Sequence, residues 1–138
     1  MCMSELGLVA SFLGDVRRAE ALYEWLLPYA GRCAVVLAAL SEGSVSRILG
    51  LLATTMSRFG EATRHFEDAL EMNSRIGSAL WVAHTQREYA QMLLVRRGPG
   101  DGAKAAELLQ EALATAGELG LEALVEKSRP LTSPAAVP

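Results

Sequence analysis

The sequence has only two cysteines and is poor in aromatic residues. Two isolated cysteines, Cys2 and Cys33, exclude a disulfide framework and a cysteine-rich zinc site. The longest uninterrupted apolar run, Cys33 to Leu40, is much shorter than the roughly 20 residues that a membrane-spanning helix requires. The segment before Gly14 carries Glu5 and no basic residue, which is not typical of a secretory signal peptide. We therefore expect a cytoplasmic protein that has no membrane partner.

An excess of charge of one sign is also absent, since the net charge is only −3. A charge this small creates no strong positive field, so we expect no nucleic-acid partner. Half of the residues are apolar and 21% are charged, which is the balance of a folded domain rather than of a disordered chain. Alanine and leucine dominate, and no segment sustains an alternation of apolar and polar residues. The composition therefore predicts an all-α fold.

Glycine and proline divide the sequence into segments in which apolar residues recur every three or four positions, as on one face of a helix. Asp15 and Asp101 stand where helix N-caps are expected. The run Cys33 to Leu40 is interpreted as a backward extension of the third helix or as a short helix, and Leu121 to Lys127 as one or two further turns. A repeat domain is predicted over residues 1–127 and a disordered tail over residues 128–138. The six predicted helices cover residues 3–13, 16–28, 43–57, 60–75, 79–96 and 102–119.

The second, fourth and sixth predicted helices share one pattern. Each contains an alanine, a large apolar residue four positions later, and an apolar or small residue three positions after that. The small alanine lets two helices approach closely, and the bulky residue fills the space above it. Successive alanines are 43 residues apart in both cases. The three sets are Ala19, Tyr23 and Leu26; Ala62, Phe66 and Ala69; and Ala105, Leu109 and Ala112.

The helices that precede these three carry a second pattern, which ends in a small or apolar residue. Its three copies are Leu6-Gly7-x-x-Ala10, Leu49-Gly50-x-x-Ala53 and Tyr89-Ala90-x-x-Leu93, the last three residues out of step with the others. Together the two patterns resemble the A and B helices of the tetratricopeptide repeat, although the interval exceeds the usual period of about 34 residues. The resemblance implies about three antiparallel helix pairs, six to seven helices in all, stacked as a short right-handed solenoid.

A wider set of segments carries a more specific resemblance. The segments are Leu26 to Arg32, Gly43 to Val45, Leu49 to Ala53, Arg58 to Leu70, Trp81 to Thr85 and Tyr89 to Leu93. They are similar to the C-terminal repeat region of large actinobacterial signalling proteins, which join a nucleotide-cyclase-like or DNA-binding module to a signal-transducing ATPase. MalT-like and LuxR-type regulators are relatives. The resemblance extends to about Leu124 and implies a sensor or scaffold arm of a signalling or transcription-regulator system. Because Met1 falls inside what resembles an A helix, we expect a missing N-terminal part. The chain is then a separated piece, a truncated open reading frame or a stand-alone remnant.

Motifs for catalysis are not recognisable in the sequence. The glycine loop Gly98 to Gly102 lacks the Gly-Lys-Ser/Thr ending of a phosphate-binding loop and follows a predicted helix rather than a strand. Gly43-Ser44-Val45 is not a nucleophile elbow. The histidines are not spaced for a metal, and His65, four residues after Glu61, is interpreted as its exposed ion-pair partner. We therefore expect a protein that is not an enzyme and that uses no cofactor or metal.

In a repeat of this type the first helix of each pair lines the concave surface, so its polar residues are candidates for partner binding. Trp81, His84 and Arg87 fall on adjacent turns of one helix face. They either contact a ligand in the groove or are structural, with Trp81 packed into the neighbouring repeat and His84 bonded to a backbone carbonyl. Two arginines in the groove would favour an acidic peptide or a carboxylate. The candidate groove residues are Arg47, Thr54, Trp81, His84, Arg87 and Gln91.

The first helix offers a second candidate surface, because an end helix without a neighbour leaves apolar side chains uncovered. Two functions therefore stay open. One is a non-catalytic scaffold that binds a protein or peptide partner, an acidic one in particular, in its groove. The other is a homo-oligomerisation module that pairs as a homodimer through its exposed end helix. A small-ligand sensor is a third alternative, although no cluster of aromatic and polar residues marks a pocket. The candidate self-association residues are Leu6, Val9, Phe12 and Leu13.

Overall fold

The computed structural model describes residues 3–36 and 40–132. Within these residues the chain is mostly helical, which confirms the predicted all-α character in its coarse form. Turns of 3₁₀-helix follow two of the α-helices, at Leu27–Tyr29 and Arg129–Thr132. The α-helices are α1 (Met3–Leu13), α2 (Val16–Leu26), α3 (Val45–Thr55), α4 (Phe59–Arg75), α5 (Ala79–Arg96), α6 (Asp101–Leu119) and α7 (Glu122–Ser128).

The ends of the helices follow local chemistry. Asp15 is the N-cap of α2, as predicted, and its carboxylate accepts a hydrogen bond from the backbone N–H of Arg18 at 3.1 Å. α2 ends at Leu26, two residues before the predicted end, and the chain continues as the 3₁₀ turn Leu27–Tyr29, because Pro28 has no backbone N–H to extend the α-helical hydrogen bonds. At the other end of the chain, the tail predicted to be disordered begins at residue 128, but its first residues are helical. α7 ends at Ser128, and its 3₁₀ turn continues to Thr132. Residues 133–138 of that tail lie outside the described residues.

A β-hairpin occupies the described part of the run that was predicted to be helical, so the prediction for Cys33 to Leu40 is wrong. Strand β1 (Cys33–Val36) pairs antiparallel with strand β2 (Leu40–Ser44), and Cys33 lies opposite Ser44. Residues 37–39 lie outside the described residues. The backbone N–H of Ser44 donates a hydrogen bond of 3.0 Å to Oδ1 of Asn73, a fully buried residue of α4. A contact with a residue far along the chain thus favours the hairpin over the helix that the composition favours.

The chain divides into two compact units between Gly77 and Ser78. In the first unit α1 packs on α2 and α3, α2 also packs on α3, and α3 packs on α4. Ala19 of α2 and Ala62 of α4, the first positions of the sequence pattern, have no exposed surface. Phe66 is also fully buried and lies so close to Gly50 of α3 that a Cβ there would be 2.9 Å from its ring. The glycine therefore permits the close approach of α3 and α4.

In the second unit α6 packs on both α5 and α7. The third copy of the pattern is buried in the same way, since Ala105, Leu109 and Ala112 are each at most 1% exposed. Leu124 of α7 is also buried and joins the core at Ala116. No helix in the described stretches is long and apolar enough to cross a bilayer.

Candidate functional site

The apolar side chains predicted for self-association are exposed. Phe12 is 90% exposed and Leu13 63%, while Val9 and Leu6 are 50% and 39% exposed. On the neighbouring helix, Trp25 is 63% exposed as well. We refer to these five residues as the α1–α2 apolar face. Four of them were identified from the sequence, and the structure adds Trp25.

A groove of about 360 Å³ runs along the α1–α2 apolar face. Its walls are mostly apolar, because apolar residues recur every three or four positions on each helix and so form one apolar stripe along α1 and one along α2. Asp15 and Arg18 supply the polar groups, and Arg18 Nε lies 3.5 Å from Asp15 Oδ2. The lining residues are Leu6, Val9, Ala10, Leu13, Asp15, Arg18, Ala21, Leu22 and Trp25.

Packing on the opposite side of the two helices holds this face in place. Ala19, Tyr23 and Leu26 of α2 are buried in the core of the first unit. α1 approaches α3 closely at Gly7, where an added Cβ would lie 2.7 Å from Cγ2 of Ile48. Because the buried stripes are anchored in this way, the outer stripes of α1 and α2 are presented to solvent as one surface.

Two of the predicted groove residues, Arg47 and Thr54, lie on α3 in the first unit. Arg47 is only 5% exposed, so its side chain is covered rather than open to solvent. Thr54 is half-buried, and its hydroxyl donates a hydrogen bond of 2.7 Å to the backbone oxygen of Gly50, one turn earlier. The hydroxyl of Thr54 is therefore engaged by its own helix.

The other four predicted groove residues lie on α5 in the second unit. The rings of Trp81 and His84 are in contact, with centroids 5.3 Å apart and planes inclined by 41°. Both side chains are half-buried, as is Arg87, and Gln91 is exposed. The structure thus brings Trp81 and His84 together, while binding of an acidic partner to this stripe stays a prediction.

A cluster of titratable side chains joins α2 to α4, and the sequence did not predict it. The Tyr23 hydroxyl donates a hydrogen bond of 2.7 Å to Glu61 Oε2 and lies 2.8 Å from His65 Nε2. Since the hydroxyl has one proton, it accepts from an Nε2–H of His65. Arg58 completes the cluster with a pair of contacts to Glu61 at 2.8 and 2.9 Å and with its guanidinium 4.9 Å from the Tyr23 ring centroid.

This cluster corrects the interpretation of His65 as an exposed ion-pair partner of Glu61. His65 is half-buried and bonds to Tyr23 instead. Its Nδ1 is buried and has no hydrogen-bond partner among the described residues. Two signals in the sequence point toward the cluster. Tyr23 puts a hydroxyl at the large-residue position of the repeat pattern, and the four-residue spacing places Glu61 and His65 on one face of a helix.

The environment shifts the pKa of each member in a direction that fixes its charge. Burial, followed by the hydrogen bond to Glu61, raises the pKa of Tyr23 to about 12. The hydrogen bond from Tyr23 lowers the pKa of Glu61, and Arg58 lowers it further. Burial lowers the pKa of His65. At neutral pH the cluster therefore holds a neutral tyrosine, a carboxylate and a neutral imidazole, which together tie α2 to α4.

The glycine loop between α5 and α6 is organised by a single carboxylate. Asp101 was predicted as the N-cap of α6, but it is the first helical residue, and Gly100 with φ of +78° occupies the cap position. The Asp101 carboxylate binds Arg96 at 2.6 and 2.8 Å and accepts from the Gly98 backbone N–H at 2.7 Å. These donors hold the pKa of Asp101 below its usual range. The loop is an inter-helix turn closed by an ion pair.

Metal chemistry has no support in the described parts of the chain, where no group of three or more histidine, cysteine, aspartate or glutamate side chains could hold an ion. Comparisons with protein-family models, with curated proteins and with solved structures found no match.

Proposed function

We propose that this protein is a non-catalytic, tetratricopeptide-like interaction module and that the α1–α2 apolar face is its binding surface. The observation that carries the proposal is the exposure of Leu13 and Trp25, each 63%, along one groove, with Phe12, 90% exposed, next to Leu13 in the chain. Exposed single apolar residues are common, but a contiguous apolar surface beside a groove is typical of an interaction site. Covering such a surface with a partner is favourable because apolar area is removed from water.

The repeat character of the module is supported by the burial of its pattern residues. The alanine of each copy is fully buried, and the large residue four positions later is at most 4% exposed in all three. In the first unit, Gly50 is the small residue of the preceding helix, and it lies against the ring of Phe66. This agreement between pattern and burial is expected for tetratricopeptide-like helix pairs. On the sequence resemblance alone, we further propose that the chain acts as a sensor or regulatory arm of a signalling system.

The titratable cluster favours a structural role over a catalytic one. A general base needs an available lone pair near the substrate, and a nucleophilic tyrosine needs a lowered pKa. Here the Glu61 carboxylate is occupied by Tyr23 and Arg58, and the pKa of Tyr23 is raised to about 12. Both properties suit a group that holds two helices together.

A photo-reactive amino acid at Phe12, the most exposed residue of the face, tests the proposed binding surface. We would replace Phe12 with p-benzoylphenylalanine, express the chain in its own cells and irradiate them. A matched control carries the same residue in place of Val95, an apolar side chain of α5 that is 59% exposed. Protein adducts from position 12 that are absent from position 95 support the proposal. Equal adducts at both positions, or none from position 12, would contradict it.

A further inference from the structure

We propose that the partner of the α1–α2 apolar face is a second copy of the same chain, with the two α2 helices antiparallel and centred on Ala21. This inference rests on the proposed binding surface and names its occupant. Ala21 is exposed and lines the groove, while the buried residues Ala19, Tyr23 and Leu26 lie on the opposite side of α2. A small residue at the centre of the outward face lets two helices approach closely.

The charges of α2 are complementary to those of an antiparallel copy. Arg17 lies four residues before Ala21 and Glu24 lies three residues after it, both on the same edge of the outward face at 100° per residue. A two-fold axis beside Ala21, perpendicular to the helix, therefore places Arg17 of each copy opposite Glu24 of the other. Both side chains are exposed, and neither forms an ion pair with another described residue.

The opposite edge of α2 is complementary in a different way. Arg18 lies three residues before Ala21 and Trp25 four residues after it, and both line the groove beside α1. The same two-fold axis brings Arg18 of one copy to Trp25 of the other, where a guanidinium can cover the indole ring. Arg18 and Trp25 are both exposed in the single chain. The same two-fold axis would thus form an ion pair on one edge of α2 and a cation–π contact on the other.

The first helix gains from the same arrangement. A two-fold axis of this kind leaves both copies of α1 on the same side of the paired α2 helices, so the grooves face each other in an antiparallel four-helix arrangement. The exposed side chains of Val9, Leu13 and Leu6 would be covered there. Phe12 and Trp25 alone expose on the order of 300 Å², because an aromatic side chain carries about 150–250 Å². With the aliphatic side chains added, the apolar area is more than half of the roughly 800 Å² per partner of a standard interface.

Charge exchange tests this register directly. Sedimentation equilibrium of the chain would be measured over concentrations up to about 100 μM, a range in which interfaces of micromolar affinity are populated. We expect a monomer–dimer equilibrium. Arg17→Glu should weaken dimerisation about tenfold or more, because both Arg17–Glu24 contacts of the dimer then become contacts between like charges. Glu24→Arg should weaken it similarly, and the double exchange Arg17→Glu/Glu24→Arg should restore it. Arg75→Glu, an exposed arginine at the end of α4, is the control and should have no effect.

The outcomes separate this inference from the function it rests on. A dimer that follows the exchange pattern supports both. A chain that stays monomeric, or a dimer that is insensitive to Arg17 and Glu24, overturns the register and the second copy as partner. If such a chain still yields adducts from position 12, and these contain a different protein, the binding surface stands and only its occupant is wrong. Circular dichroism of each variant confirms that a lost dimer is not a lost fold.

Discussion

Replacing Gly50 with alanine sets two effects of opposite sign against each other. Within a helix, alanine is more favourable than glycine by about 0.8–1.0 kcal/mol. The added methyl group, however, would lie 2.9 Å from Cδ1 and Cε1 of the Phe66 ring and 3.0 Å from its Cζ. Phe66 is fully buried, so its ring cannot move aside without displacing α3 from α4. Overpacking of this kind costs typically about 1–3 kcal/mol.

The control is Gly60→Ala, in the same unit. Gly60 lies in α4, is exposed, and has no described atom within 4 Å of the position that a Cβ would occupy. This variant gains helix propensity without the clash, so the two variants should differ in free energy of unfolding by about 1–3 kcal/mol. Urea denaturation followed by far-ultraviolet circular dichroism gives both free energies, provided that the slope with denaturant is unchanged.

Equal stabilisation by Gly50→Ala and Gly60→Ala would refute the contact between Gly50 and Phe66. A double variant identifies the source of any cost. If the ring is responsible, Gly50→Ala should be less damaging in a Phe66→Leu background, and the two changes should not be additive. Additive changes would place the strain elsewhere.

The two ion clusters make further predictions. Because the pKa of Tyr23 is raised to about 12, the stabilisation it gives is complete below pH 10 and is lost as the pH rises toward 12. Absorbance titration should therefore find a late tyrosine ionisation that Tyr23→Phe removes; a titration above pH 10 that Tyr23→Phe leaves unchanged would contradict the cluster. The lowered pKa of Asp101 means that its stabilisation is present above about pH 4 and is lost as the pH falls below that value. Asp101→Asn should cost about 1–3 kcal/mol at neutral pH and make the second unit less sensitive to acid, whereas an unchanged acid transition would argue against the Arg96 pair.

Features that depend on nearby residues could be predicted from the sequence. The buried alanines of α2, α4 and α6 follow from helical spacing, and the capping of α2 by Asp15 follows from the preference of aspartate for that position. The exposure of Phe12 and Leu13 was likewise predicted, from an end helix without a neighbour on one side. Each of these inferences needs only the residues of one helix and the direction of its core.

Features that depend on distant residues could not be predicted in the same way. Tyr23 meets Glu61 and His65 across 38 and 42 residues of chain. The hairpin that starts at Cys33 depends on a bond from Ser44 to Asn73, 29 residues away. The spacing of residues within one helix does not show which distant partner a side chain will meet, so these contacts emerge only when α2, α3 and α4 are packed together.

Fluorescence of Trp25 tests the central claim, that the α1–α2 apolar face is covered by a second copy, most directly. A Trp81→Phe background leaves Trp25 as the only indole of the chain, and its side chain is 63% exposed in the single copy. The account predicts that its emission moves to shorter wavelength as protein concentration rises, and that Phe12→Asp abolishes this change. Emission typical of a solvated indole at every concentration, in a chain that remains folded, would contradict the claim.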